Sequence, residues 1–517
     1  MTRICVPVCA RGIDEMRDAI ARAAEVADTI ELRLDCLDDL ESASREFGIS
    51  RTVPEGDVES RAIGRPLILT LRCAEQGGHA SVDYDSRRRF WSSVKPPATD
   101  CFLDLEYDLV QGLSGTKSFD ADWEQIICSH HDFNGVPPDL ERIYEAMAAT
   151  PAGIVKIAVQ ANDATDCLSV FELLERAQLE DRELIAIAMG PAGIMTRVLG
   201  PSRGSFLTYG SLDDESATAP GQVTARELRD VYRIERLDSE TKVMGLVGNP
   251  VSQSLSPCMH NAAFANADLN SVYLPFQAKD VAQFIRRMVQ PRTREVVWNL
   301  RGLSVTIPHK STVMPLLDWI DPIAREIGAV NTIVVQDDRL LGYNTDALGF
   351  MTPLLKRFGR FGPVRNARCA VIGAGGAARA ALWSLAKEGA SAALFARNVE
   401  QATVTARDFG VPCYPLSQAD FAGFDIVVNA TPLGMADATQ DITPATAGQL
   451  HGVRLAYDLV YNPIETVFLR EARAAGCDTL NGIEMLLAQG AEQFKLWTGK
   501  EPDTEVMRAA ALSRLAT

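Results

Sequence analysis

Residues 218–256, TAPGQVTARELRDVYRIERLDSETKVMGLVGNPVSQSLS, decide how the chain divides. A loop bearing Pro and Gly leads into TARELRDVYRIERL, an amphipathic stretch read as one helix, with Leu228, Val231, Tyr232 and Ile234 available for its buried side. Asp238 to Lys242 follow as a polar linker, and at Val243 a strand-turn-helix pattern starts afresh. The pattern predicts one folded unit over residues 1–237, a linker over 238–242 and a second unit from 243 onward.

At 517 residues the chain exceeds what one hydrophobic core supports. A formal net charge of −17 opposes non-specific nucleic-acid binding, so an anionic substrate must be met by local Arg and Lys. Eleven Cys are scattered singly, without the close spacings of zinc sites or disulfide frameworks, and are read as small buried residues in a reducing compartment. No apolar run approaches the ~18 residues of a membrane span, and the N-terminal run is too short for a signal peptide. The expectation is a cytoplasmic protein that acts on small molecules, with no metal, nucleic-acid or membrane partner.

Working back from the seam, eight short apolar runs alternate with helical patterns: residues 4–8, 30–34, 67–71, 101–105, 125–129, 154–158, 184–188 and 205–208. Parallel strands with crossover helices are the economical topology, and eight repeats in this length predict a (β/α)8 barrel. Polar residues stand at the strand ends: Glu31, Arg33 and Asp35, then Arg72, Asp104 with Glu106, and His130 with His131. In a barrel they converge on the C-terminal mouth, where that fold places its chemistry. Lys156 lies inside an otherwise apolar run, IVKIA. It must snorkel, pair with a carboxylate, or act as a buried nucleophilic amine.

ELRLD, LTLR, LDLE, SHHDF, VKIA, IMTRVLG and ATAPGQ, in this order and spacing, resemble the type I 3-dehydroquinate dehydratases over residues 4 to about 236. The resemblance implies dehydration of 3-dehydroquinate to 3-dehydroshikimate through an imine on Lys156, with His131 as general base and acid and Glu106 orienting His131. It also implies Glu31, Arg33, Arg72, Arg197, Thr218 and Gln222 as substrate contacts, Arg197 gripping the carboxylate. The sequence departs from the family pattern at Gln76 and Thr218.

Beyond the seam, apolar strands are expected at 243–248, 272–276, 303–306, 330–335 and 340–342, with helices at about 257–267 and 346–358. CAVIG, GAGGAA and ARAALWSLAKEG then read as strand, G-x-G-x-x-A turn and helix, the arrangement that receives a dinucleotide pyrophosphate. The next strand ends at Arg397 where an NAD site carries an acid, which favours NADP.

GLVGNPVSQSLSP, GLSVTIPHK, IGAVNT, GYNTDALGF, VIGAGGAARAA, NATPLGM, DLVYNP and NGIEMLLAQG resemble the shikimate dehydrogenases over residues 243 to about 513. The resemblance implies a substrate domain over 243–345, completed by helices in 482–517, and an NADP-binding Rossmann domain over 346–481. Lys310 and Asp346 would be the catalytic pair, and Ser254, Ser256, Thr306, Asn331, Tyr461 and Gln489 would hold substrate. Gly373, Ala374, Gly375, Gly376 and Ala377 would line the pyrophosphate and Arg397 the extra phosphate. Thr431, Met435, Gly482 and Met485 would lie on the nicotinamide side. Departures stand at Gln253, at Ser304 and in the ARN that ends at Asn398.

The product of the first implied reaction is the substrate of the second. The expectation is a fused dehydratase and NADP-dependent dehydrogenase of the shikimate pathway, acting on 3-dehydroquinate, 3-dehydroshikimate and shikimate. The alternatives are a catabolic NAD-dependent quinate or shikimate dehydrogenase in the second half, or a metabolite sensor built from inactive domains.

Overall fold

The computed structural model describes residues 2–40, 64–79, 82–94, 100–116, 119, 121–213, 221–436 and 439–516. The chain forms two compact units, one covering Met1–Thr241 and the other most of the residues from Lys242 onward.

In the first unit, β1 (Ile4–Val8), β2 (Thr29–Arg33), β3 (Leu67–Thr70), β4 (Cys101–Glu106), β5 (Ile126–Asp132), β6 (Ile154–Gln160), β7 (Glu183–Met189) and β8 (Thr208–Tyr209) form one parallel sheet in the order β7-β6-β5-β4-β3-β2-β1-β8. Strands covered on both faces read as continuous apolar runs, which is why IVKIAVQ and ELIAIAM carry no alternation. The barrel closes through a single bridge between Leu184 and Ser205, where the Phe206 N–H donates to the Leu184 carbonyl at 2.8 Å. Crossover helices such as Leu140–Ala148 bury Leu140, Tyr144 and Met147 against it.

Three local readings change. His130 and His131, expected after the fifth strand, lie within β5. The stretch TARELRDVYRIERL is helical only over Ala225–Asp230, because Arg233 takes a left-handed φ of 50° that ends the helix before a short turn at Ile234–Arg236. Lys242, read as the last linker residue, opens the first strand of the second unit.

A further correction concerns the cysteines. Cys9, just after β1, and Cys36, just after β2, form a disulfide with their α-carbons 5.5 Å apart. They are separated by 27 residues, but β1 and β2 are parallel neighbours, with Val8 opposite Leu32. Sequence spacing hides a pair that the sheet register creates.

In the second unit, β9 (Lys242–Gly248), β10 (Ser271–Gln277), β11 (Asn299–Val305), β12 (Trp319–Ile320), β13 (Thr332–Gln336) and β14 (Arg339–Tyr343) form a mixed sheet, ordered β10-β9-β11-β13-β14-β12. A tight turn with positive φ at Asp337 and Asp338 joins β13 to β14 as an antiparallel hairpin. The helix Asp346–Phe358 then leads to β15 (Arg368–Ile372), β16 (Ser391–Ala396), β17 (Cys413–Pro415), β18 (Ile426–Asn429), β19 (Leu455–Asp458) and β20 (Asp478–Leu480). These form a parallel sheet ordered β17-β16-β15-β18-β19-β20. Strand order reverses at β15, which sets the crevice for a nucleotide at its C-terminal end.

The last two helices, Ile483–Thr498 and Thr504–Ala516, return to the first of these sheets. Leu487, Phe494, Met507 and Ala511 share a core with Met244, Met259, Phe264 and Tyr273. Met485, on the opposite side of the same helix, joins the core of the nucleotide sheet.

Candidate active sites

The barrel holds a cavity at its C-terminal mouth, lined by Glu31, Arg33, Arg72, His131, Lys156, Arg197 and Gln222 among others. Seven of the expected residues therefore meet in one place. Thr218 lies outside the described residues.

Lys156 is buried and paired and does not snorkel to solvent. Its Nζ donates to Asp104 Oδ2 at 2.8 Å, to the Tyr209 hydroxyl at 2.8 Å and to Glu31 Oε1 at 3.3 Å. Asp104 is the hub: its other oxygen accepts from Arg72 at 2.7 Å and from the Ser129 hydroxyl at 2.6 Å. Burial pushes the Asp104 carboxyl up, but Arg72 and Lys156 together outweigh burial and hold it well below the usual carboxylate range.

His131 is held neutral. Burial, then the charges of Arg72 and Lys156, place its imidazole well below the usual 6.5. Its main-chain N–H donates to Gln76 Oε1 at 3.0 Å, so this departure from the family pattern forms part of the cavity wall. The implied contact from Glu106 is absent among the described residues. Glu106 instead accepts from the Cys73 N–H at 2.9 Å and from Arg87 at 2.8 Å, and His131 Nδ1 is buried without a partner.

The three arginines of the cavity differ. Arg33 is forked onto Asp35 at 2.9 and 2.8 Å, and Arg72 is bound to Asp104. Arg197 is fully buried, donates only to the Tyr209 carbonyl at 3.3 Å and has no carboxylate partner among the described residues. Burial lowers it to about 10, which leaves it cationic at neutral pH. It is the cavity's unmatched positive charge, suited to a carboxylate ligand.

In the second unit, Lys310 Nζ lies 2.5 Å from Asp346 Oδ2. Asp346 opens the helix Asp346–Phe358, and its Oδ1 accepts from Asn331 Nδ2 at 2.9 Å. The same amide reaches Gln489 Oε1 at 3.4 Å. Ser254 and Ser256 stand at the start of the helix Ser256–Asn266, with Tyr461 hydrogen-bonded to Ser254. Thr306 follows β11, its N–H on the Val247 carbonyl at 2.9 Å. Gln253 is exposed beside them.

A buried chain unforeseen in the sequence connects these groups. Tyr273, hydrogen-bonded to Ser256, donates to Ser304 Oγ at 2.7 Å, and Ser304 donates to Gln493 Oε1 at 2.8 Å. Gln493 Nε2 then donates to Thr332 Oγ1 at 3.0 Å and to the Asn331 carbonyl at 3.3 Å. Gln493 lies four residues after Gln489, on the same face of one helix, which was the available signal. Ser304, noted as a departure, is the link that this glutamine completes.

The nucleotide turn fits a pyrophosphate. Gly373 has φ of 104°, and a Cβ there would meet Thr431 Cγ2 at 2.9 Å. Gly375 has open space beyond it, and Gly376 opens a helix ending at Lys387 with Ala377 in its first turn. A Cβ on Gly376 would meet Lys310 Cδ at 2.9 Å, so the catalytic candidate lies against the turn. Ala374 accepts from Thr405 at 3.3 Å through its carbonyl. Arg397 is exposed just past β16, while Asn398 caps the next helix by accepting from the Gln401 N–H at 3.2 Å. Thr431 and Met435 share the loop after β18, and Gly482 and Met485 flank the start of the helix Ile483–Thr498.

Comparison with known proteins matches residues 4–239 to the type I 3-dehydroquinase family, 246–333 to the shikimate dehydrogenase substrate binding domain and 482–512 to the shikimate 5'-dehydrogenase C-terminal domain. The chloroplastic bifunctional 3-dehydroquinate dehydratase/shikimate dehydrogenase of Arabidopsis thaliana is 33% identical, the match covering 96% of this chain and 82% of that protein. The NADP(+) shikimate dehydrogenase of Methanococcus maripaludis is 38% identical over 54% of this chain and 99% of its own. A crystal structure of shikimate 5-dehydrogenase from Thermus thermophilus, in complex with NADP(H) and shikimate, is 36% identical over 53% of this chain and 99% of its own, with a TM-score of 0.46. With matches along both halves and one relative spanning nearly the whole chain, the chain belongs to the bifunctional 3-dehydroquinate dehydratase/shikimate dehydrogenase family.

Proposed function

We propose that the barrel dehydrates 3-dehydroquinate to 3-dehydroshikimate and that the second unit reduces this product to shikimate with NADPH. The observation that carries the reading is one cavity in which a buried lysine, a neutral imidazole and an arginine without a carboxylate partner converge. We assign residues 1–237 to the dehydratase, 243–345 with 482–517 to the substrate domain and 346–481 to the nucleotide domain.

In the barrel, Arg197 binds the substrate carboxylate, and Lys156 Nζ, after its ammonium releases one proton that later leaves in the expelled water, attacks the ring ketone. Loss of water gives a protonated imine, which acidifies the adjacent carbon. Neutral His131 removes that proton and returns one to the departing hydroxyl, and hydrolysis of the imine frees Lys156. Asp104, kept ionised by Arg72 and Lys156, stabilises the cationic imine. Because the imidazole titrates below its usual range, its basic form persists as pH falls. The kcat/KM for dehydration is therefore expected to hold from neutral pH down past 6.5 and to decline only in more acid solution. An acid limb at or above 6.5 in a pH–rate profile contradicts this.

In the second unit, Ser254, Ser256 and Tyr461 hold the substrate carboxylate, while Thr306, Asn331 and Gln489 hold its hydroxyls. Lys310, polarised by Asp346, gives a proton to the carbonyl oxygen. NADPH, when bound, supplies the hydride. The turn from Gly373 to Ala377 and Arg397 would hold its phosphates, and Thr431, Met435, Gly482 and Met485 its nicotinamide side. Arg397→Ala is expected to raise the KM for NADPH by roughly 10-fold to 100-fold, the scale of one charge-assisted hydrogen bond, and to leave the KM for NADH unchanged. Steady-state kinetics with both cofactors check this.

Gln493→Ala removes one of the buried partners of Ser304, Thr332 and the Asn331 carbonyl. It is expected to raise the KM for shikimate roughly tenfold and to change kcat by less than about threefold. A loss confined to kcat contradicts its role in positioning substrate groups.

The whole reading is tested by supplying 3-dehydroquinate and borohydride without nucleotide and mapping the reduced adduct, expected at Lys156. An unmodified Lys156 overturns the imine mechanism. We also infer a cytoplasmic site of action from the nine cysteines that remain free, which cell fractionation tests.

A further inference from the structure

The residues assigned to dehydration leave unused a group at the rim of the barrel. Cys9 follows β1, Cys36 lies in the turn after β2, and His79 is in the loop after β3, so three successive strand ends each contribute one side chain. The two sulfurs and a ring nitrogen of His79 all lie within 4.8 Å of one another. No other trio of His, Cys, Asp or Glu among the described residues brings its ligand atoms so close.

The backbone that carries the trio is held from beneath. Asp35, buried and next to Cys36 in the chain, accepts the His79 N–H at 3.0 Å and the Arg72 N–H at 3.3 Å while it grips Arg33. The His79 ring is exposed and has no hydrogen-bond partner among the described residues. An imidazole without a partner beside two sulfurs is a soft donor set of the kind that selects zinc-like cations over calcium or magnesium.

We propose that Cys9, Cys36 and His79 form a site for a thiophilic divalent cation such as Zn2+, open in the dithiol form and closed when the two sulfurs are joined as a disulfide. A tetrahedral ion with metal–sulfur bonds of about 2.3 Å and a metal–nitrogen bond of about 2.0 Å needs the sulfurs ~3.8 Å apart and each ~3.5 Å from the nitrogen. Both separations lie inside the 4.8 Å envelope, so side-chain rotation suffices once the S–S bond is opened. A dithiol reductant delivers two electrons and two protons across that bond, giving two thiols and becoming a cyclic disulfide itself. The cation then displaces the thiol protons to solvent, and water takes the fourth position. The ion clasps the loops after β1, β2 and β3, next to but apart from the cavity that holds Lys156.

The test uses the full-length protein, reduced with dithiothreitol, desalted without oxygen and titrated with Co2+ as an optical probe. The expected result is a near-ultraviolet thiolate-to-cobalt absorption that saturates at one equivalent and is bleached by Zn2+. Oxidised protein shows none. Cys9→Ser combined with Cys36→Ser abolishes the absorption, and His79→Ala weakens Co2+ binding at least about tenfold. Reduced wild-type protein without the absorption overturns the proposal, and this outcome does not depend on how well any variant folds. Absorption that persists in the double serine variant assigns the ion to other thiols and also overturns it. Unchanged affinity in His79→Ala rejects the three-ligand site.

Discussion

Lys156→Ala is expected to lower kcat for dehydration of 3-dehydroquinate by at least about four orders of magnitude, the scale on which removal of a covalent nucleophile acts. Reduction of 3-dehydroshikimate by the same variant is expected to stay within about twofold of wild type. The physical reason lies in what the variant leaves behind. Without Nζ, Asp104 and Glu31 keep their contacts to Arg72, Ser129 and Thr70, so the cavity wall survives while the electron sink is lost. Spectrophotometric assays of the two half-reactions on one preparation separate the effects. Parallel loss of both activities contradicts two independent sites.

Lys310→Ala is expected to have the complementary effect. Shikimate oxidation should fall by about 10² to 10⁴ in kcat, the range for removing a positioned general acid or base, with only a modest change in KM. Dehydration should be unaffected. The variant removes the cation 2.5 Å from Asp346 Oδ2, while Asn331 still donates to the other oxygen at 2.9 Å. The carboxylate therefore keeps one contact and the substrate pocket keeps its shape. A KM effect that exceeds the kcat effect assigns Lys310 to substrate binding and contradicts its role as proton donor.

Most of the architecture was legible before any coordinates, and for local reasons. Seven of the eight apolar runs coincide with barrel strands, and the eighth, 205–208, meets β8 only at Thr208; strands covered on both faces are mainly apolar. The helix at Asp346–Phe358 and the glycine turn after β15 are short-range patterns that one window of sequence contains. The polar residues at strand ends were expected to converge, and Glu31, Arg33, Arg72, His131 and Lys156 do line one cavity.

What was hidden depends on neighbours far apart in the chain. Asp104 and Tyr209 grip Lys156 only because β4, β6 and β8 belong to one closed sheet. Glu106 was expected on His131 and is taken instead by Arg87 and the Cys73 N–H, since the helix Tyr84–Ser93 brings a guanidinium to it. Gln493 completes Ser304 across 189 positions of sequence, and its spacing from Gln489 marks the helix face without naming that partner. The Cys9–Cys36 bond arises from the register of two adjacent strands.

Residue order alone therefore pointed to most of the elements that form, because strand and helix periods and glycine turns are short-range properties. Tertiary structure decided the partners: which carboxylate holds the lysine, which arginine stays unmatched for an anion, and which cysteines meet. Burial and charge pairing act through space, and only the closed barrel and the packed sheets set the distances on which they depend.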